Sequence, residues 1–217
     1  MLEEIIRKID HTNLSPVATE AMIDTLCTEA LQYKTASVCI SPNYVRFCRE
    51  KYPTLKLTTV IGFPNGYNLL EVKAYEARLA IRDGADELDM VMDLTHIKNG
   101  AWDKCEEALK MMRACTEGKI LKVIVETGAL ESKELQRLCE SLIFYGIDYI
   151  KTSTGFNFKE DPLEKTKQIR QFIGQRDLKI KVSGGIRTKE DVLKYKGLEI
   201  DRFGASQLLA NLIKMTK

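Results

Sequence analysis

The 217-residue chain is poor in histidine, with two, and in tryptophan, with one. His11 and His96 are too few for an all-histidine metal site, although counting leaves a mixed carboxylate site open. The six cysteines (27, 39, 48, 105, 115 and 139) form no CxxC pair. A disulfide or zinc framework shows tighter, patterned spacing, so reduced thiols acting as small apolar side chains are expected. Neither charge sign dominates: Lys plus Arg number 33 against 31 Asp plus Glu, a formal net charge of +2. That balance calls for no nucleic acid and no anionic membrane. Long apolar runs are missing too, and the stretch 57–63 is far too short to cross a bilayer. Met1-Leu2-Glu3-Glu4 carries acids where a signal peptide carries bases. The expected compartment is the cytoplasm.

No Pro/Ser-rich linker and no low-complexity run divides the chain, so one domain over 1–217 is expected. Short apolar segments alternate with longer amphipathic ones. Strands are predicted at 8–10, 36–40, 57–62, 87–91, 121–126, 148–151, 178–183 and 200–204. Helices are predicted at 17–33, 42–51, 70–84, 101–117, 131–145, 161–175, 189–196 and 206–215. Ser15-Pro16, Ser41-Pro42 and Asp161-Pro162 each set a capping side chain before a proline suited to a first helical turn. Gly84, Gly118 and Gly146 stand where helices end in a left-handed residue. Eight strands alternating with eight helices predict an α/β fold with a parallel sheet. Eight units in one domain favour a closed (β/α)8 TIM barrel over an open sheet, and no GxGxxG follows the first strand.

Strand side chains alternate between two faces. Leu88 and Met90 suit the helix side, which turns Glu87, Asp89 and Val91 inward. By the same parity Lys122, Ile124 and Glu126 face in, as do Lys179, Lys181 and Ser183, and Tyr149 shares a face with Lys151. Interior charge is costly unless paired or functional. Asp89, Glu126, Lys151 and Lys181 fall near the C-terminal strand ends, the catalytic face of such a barrel. Lys122 and Lys179 lie deeper and are expected to pair with charges there. Lys151 and Lys181 belong to neighbouring strands. Two ammonium groups about 5 Å apart repel by roughly 3 kcal/mol at an effective dielectric of about 20. Repulsion and burial both favour a neutral amine, which attacks a carbonyl and yields an iminium that accepts electrons. A solvated or ion-paired lysine is the plainer reading of either one alone.

The strand ending near Ser183 runs into Gly184-Gly185, and the last strand ends at Gly204 before Ala205-Ser206. Loops after strands seven and eight commonly bind phosphate in this fold. Glycine lets backbone N–H groups approach an anion, and a helix start adds partial positive charge. The candidate phosphate set is Gly184, Gly185, Gly204 and Ser206, with Thr154 and Gly155 from the Thr152-Ser153-Thr154-Gly155 turn. Plain readings suit the other conspicuous side chains: Cys39 a buried small residue, His11 a hydrogen-bonded structural histidine, His96 a solvent-facing loop residue, Trp102 a packing aromatic, and Glu126 a partner of interior lysines.

Several ordered segments resemble the deoxyribose-phosphate aldolase family. They include Ile9-Asp10-His11-Thr12, Gly62-Phe63-Pro64, Glu87-Leu88-Asp89-Met90-Val91, Ile150-Lys151-Thr152-Ser153-Thr154-Gly155-Phe156 and Lys181-Val182-Ser183-Gly184-Gly185-Ile186-Arg187-Thr188. The matches span nearly the whole chain. The resemblance implies a class I aldolase that reversibly cleaves 2-deoxy-D-ribose 5-phosphate to acetaldehyde and D-glyceraldehyde 3-phosphate, without metal or other cofactor, as a possible homodimer. It implies Lys151 as the Schiff-base lysine, Lys181 as the lysine that tunes it, Asp89 as the proton-relay aspartate and Asp10 as a supporting aspartate. Departures fall at Asn157-Phe158-Lys159-Glu160-Asp161, at Val182 and at Gln207. Two alternatives stand beside this expectation: an epimerase or metal-dependent aldolase on the same fold, and a catalytically silent sugar-phosphate-binding homologue.

Overall fold

Residues 2–158 and 161–214 are described by a computed structural model. Eight parallel strands pair in chain order: β1 (Ile9–Asn13), β2 (Ser37–Ile40), β3 (Leu57–Ile61), β4 (Glu87–Val91), β5 (Ile120–Ile124), β6 (Tyr149–Lys151), β7 (Lys179–Ser183) and β8 (Arg202–Ala205). β8 pairs back onto β1 and closes the barrel. Strands buried on both faces need apolar side chains against the helices. Leu88, Met90, Val123, Ile180 and Val182 supply them and join one continuous hydrophobic core. Cys39, Val60, Val91 and Ile124 are buried as well.

The element order matches the expected alternation, and the differences at the boundaries have local causes. The second helix begins at Glu20 rather than 17. Ser15 Oγ accepts from the Val17 N–H at 3.3 Å within a turn, and Thr19 is the residue that caps the helix, accepting from Met22 N. β5 stops at Ile124 because Glu126 adopts a left-handed conformation, φ 51°. The last helix covers Leu208–Lys214, and residue 215 of the expected span lies outside the described residues. Two five-residue helices were too short to show a periodicity. Leu2–Ile6 buries Ile5 and Ile6. Leu94–Lys98 carries His96, which is half-buried on a helix rather than solvent-facing in a loop. Trp102 packs as expected, with the Arg137 guanidinium 4.5 Å from its ring centre.

One buried cation braces the strand that carries Asp89. Lys73, on the helix Leu70–Arg82, is only 3% exposed, and its ammonium donates to the Val91 carbonyl at the end of β4 at 3.0 Å. Burial pushes its pKa down to about 8, against the weaker pull of Asp93 and Glu76. Among the described residues no helix is long and apolar enough to cross a membrane.

Candidate active site

Parity and register bring the interior charges together. Asp89 of β4 is fully buried and faces lysines from three consecutive strands. Lys122 of β5 donates to Oδ1 at 2.8 Å, while Lys151 of β6 and Lys181 of β7 donate to Oδ2 at 2.9 and 2.7 Å. Lys151 and Lys181 are direct register partners. Sharing one oxygen at those distances, their nitrogens lie within about 5.6 Å of each other, in line with the strand-spacing argument. Asp10 of β1 joins from the other side, with Lys181 Nζ at 2.5 Å and the Ser37 hydroxyl donating to its Oδ1 at 2.8 Å. Below them Glu87 takes Lys122 at 2.6 Å. Arg202 of β8 spans Glu87 at 3.3 Å and Asp10 at 3.4 Å.

The three interior lysines differ in two ways. Lys181 faces two carboxylates, Asp10 and Asp89, and Lys122 is held by Glu87 and Asp89. Lys151 has Asp89 alone as its ion-pair partner among the described residues. Lys151 is also the one of the three that lines the open cavity above the barrel, a space of about 650 Å³. Thr154, Gly155, Gly184, Gly185, Gly204 and Ser206 line the same cavity. Asp89, Asp10 and Lys181 lie beneath its floor, fully buried.

At the glycine end, two geometries demand the absence of a side chain. Gly184 and Gly185 sit consecutively at φ 91° and 77°, a region that L side chains rarely adopt. A Cβ on Gly204 would lie 2.3 Å from Ser183 Oγ and 3.0 Å from Lys181 Cε.

A model of the DeoC/LacD family of aldolases matches residues 5–205. The chain belongs to this family. A deoxyribose-phosphate aldolase from Streptococcus agalactiae serotype Ia is 41% identical over 209 residues, which is 96% of this chain and 93% of that one. A solved structure described as QR15, an aldolase, superposes with a TM-score of 0.92 at 34% identity, over 98% of this chain and 96% of that one. The tetrameric deoxyribose phosphate aldolase from Aeropyrum pernix superposes at 0.88 with 31% identity, over 100% and 93%.

Within this DeoC/LacD aldolase, the electrostatics of the cluster follow from its contacts. Burial alone raises a carboxyl pKa and lowers an ammonium pKa; here ion pairing outweighs it. Lys122, Lys151 and Lys181 hold the Asp89 carboxyl well below the usual range. Lys181, Lys122 and Arg202 lower Asp10. Asp10 and Asp89 in turn raise Lys181 above the ordinary lysine value, and Asp89, Asp10 and Glu87 raise Lys122. The repulsion expected between Lys151 and Lys181 is thus offset by the carboxylate between them, and Lys181 is held as an ammonium.

Other expectations sort by position. Lys122 pairs with charges as expected, but Lys179 has no ion pair among the described residues. It is the first residue of β7, is exposed, and lies 5.6 Å from the centre of the Tyr149 ring. Glu126 is buried without a lysine ion pair among the described residues. Its carboxylate accepts from the Thr154 N–H and hydroxyl instead, and burial raises its pKa against that pull. His11 is buried and hydrogen-bonded as expected, with Nε2 2.8 Å from Glu29, and it lines the cavity. The Cys39 thiol is fully buried and its pKa is raised by desolvation.

The departures from the family pattern also find places. Asn157 donates to the Pro64 carbonyl at 3.1 Å, and Phe156 meets Phe63 edge to face at 5.1 Å. Lys159 and Glu160 lie outside the described residues. Gln207 lines the cavity, and Val182 is buried in the core. Arg202 and Arg187 were missed from the sequence. Arg202 follows an ordinary loop, and only its register opposite Lys181 reveals it. Arg187 lines the glycine end of the cavity; its position just after Gly184-Gly185 was the available signal. Among the described residues no group of His, Cys, Asp and Glu is arranged to hold a metal ion.

Proposed function

We propose that this chain reversibly cleaves 2-deoxy-D-ribose 5-phosphate to acetaldehyde and D-glyceraldehyde 3-phosphate through an imine on Lys151. The observation that carries the reading is the contrast among the three lysines: the one that reaches the cavity is also the one with a single carboxylate partner. The deoxyribose-phosphate aldolases to which the chain is similar supply the substrate.

In this reading Lys151 passes its proton to Asp89 and attacks C1 of the open-chain sugar. Asp89, pinned by three ammonium groups, is too weak a base to keep that proton. Lys181 gives its own proton toward the carbinolamine hydroxyl, which leaves as water as the iminium forms, and Asp89 returns the captured proton to Lys181. Acetaldehyde keeps two carbons, so the bond that breaks is C2–C3. Its electrons flow into the iminium to leave an enamine, while the C3 hydroxyl passes its proton to the Asp89 relay and becomes the aldehyde of the three-carbon product, and that proton then returns to the enamine carbon. Protonation of the enamine and hydrolysis free Lys151. Gly155, Gly184, Gly185, Gly204, Ser206 and the Arg187 guanidinium bind the phosphate, and Thr154 holds the loop that follows Lys151.

Borohydride reduction in the presence of acetaldehyde tests this directly. An ethyl group should appear on the Lys151 peptide, and Lys151→Ala should abolish both labelling and cleavage. An active enzyme with an unlabelled Lys151 would overturn the assignment. Loss of activity on treatment with EDTA would favour the metal-dependent alternative. The chain works in this proposal as one domain in the cytoplasm, without nucleic acid or membrane as partner. The homodimer expected from the family is checked by sedimentation.

A further inference from the structure

Ser183 ends β7 two residues beyond Lys181, on the same inward face. Its main chain is fixed on both sides by Thr152: the Ser183 N–H donates to Thr152 Oγ1 at 3.0 Å, and that hydroxyl donates to the Ser183 carbonyl at 3.1 Å. The backbone that carries the side chain is therefore held in place, yet Ser183 Oγ has no hydrogen-bond partner among the described residues, although the residue is only 5% exposed. A buried hydroxyl left unpaired is unfavourable. The residue lines the cavity together with Lys151 and the glycines. Gly204 is matched to it, since a Cβ there would lie 2.3 Å from the hydroxyl.

Resting on the aldolase reading above, we propose that Ser183 is a specificity-determining contact that hydrogen-bonds the C4 hydroxyl of the sugar phosphate. Two residues of strand rise about 6.6 Å, which sets Ser183 above the Lys181 layer and toward the glycine end. A ligand bonded at C1 to Lys151, with its phosphate at the glycines, passes Ser183 between the breaking C2–C3 bond and the phosphate. The C4 hydroxyl is the polar group on that stretch. In the direction of synthesis it is the 2-hydroxyl of the acceptor aldehyde.

Two acceptors isolate this contact. Acetaldehyde is added by the enzyme to D-glyceraldehyde 3-phosphate, and to 3-oxopropyl phosphate, which has the same chain without the hydroxyl. The readout is the ratio of kcat/KM for the two. Ser183→Ala should shrink the preference for the hydroxylated acceptor about three- to tenfold, the size of one neutral hydrogen bond. A ratio equal to that of wild type overturns the proposal, whether both rates fall together, as a packing role requires, or neither changes. Should the alanine variant not accumulate as folded protein, Ser183→Cys, slightly larger and a weaker donor, reads the same ratio. Failure of the aldolase reading itself is distinct: wild type would then condense acetaldehyde with neither acceptor.

Discussion

Lys73 offers a test of the fold that is independent of catalysis. Its ammonium is buried at the end of β4 with one backbone acceptor, and its pKa is pushed from 10.5 down to about 8. A shift of that size costs the folded state about 3 kcal/mol at pH 7, at about 1.4 kcal/mol per unit. The unfolded chain binds the proton more tightly, so the penalty is fully present below pH 8 and is relieved as pH rises toward 10.5. Lys73→Met removes the charge but leaves the Val91 carbonyl without its donor, a loss of about 1–3 kcal/mol. The two effects nearly offset, and the net change at pH 7 is a stabilisation of about 1 kcal/mol. The pH dependence is the sharper quantity: the stability of the variant relative to wild type should fall by about 2–3 kcal/mol between pH 7 and pH 10. Urea unfolding of both proteins at the two pH values measures it, since all other titrations cancel in the difference. A difference that stays flat with pH would show that Lys73 is not buried as a charge.

Asp89→Asn should lower kcat by about 10²- to 10⁴-fold, the usual worth of a positioned proton-transfer group, and should destabilise the fold by about 3–5 kcal/mol, because buried ammonium groups lose their shared partner; steady-state kinetics and urea unfolding read the two effects. In wild type, Asp10 and Asp89 have folded-state pKa values below the ordinary 3.8, so their stabilisation is present above that pH and is lost as pH falls through the lower folded values. Acid unfolding followed by circular dichroism should therefore steepen below about pH 4, and less so in Asp89→Asn. Gly204→Ala should displace Ser183 and Lys181, costing about 1–3 kcal/mol of stability as an overpacked site does and lowering kcat/KM by at least about tenfold.

Much of the site was legible because strand parity is a strict rule. Glu87 with Asp89, and Lys181 with Ser183, are turned inward by a period of two, and the register of β6 on β7 follows from the alternation of units. Lys179 obeys the same parity but begins its strand, where the interior opens to solvent. Glu126 escaped because nothing in its neighbourhood signals a left-handed residue, and one irregular φ ends the strand and redirects the carboxylate to Thr154. Asp10 and Arg202 become partners only when β8 closes on β1, a contact between the two ends of the chain. Lys73 was invisible for the opposite reason: a lysine inside a helix reads as solvated until the neighbouring strand ends are built over it.

The shared carboxylate of Asp89 bears on the whole catalytic cycle. Asp10, Glu87 and Asp89 face Lys122, Lys151, Lys181 and Arg202, so the resting interior carries one surplus positive charge. Passing the Lys151 proton to Asp89 keeps that surplus inside, and the loss of one proton with the departing water as the iminium forms restores one positive charge at the same nitrogen. To the surrounding charges the covalent intermediate is isoelectric with the resting enzyme. The barrel therefore need not rearrange to accept it, and the electrostatic field that holds the folded interior together is already the one the intermediate requires.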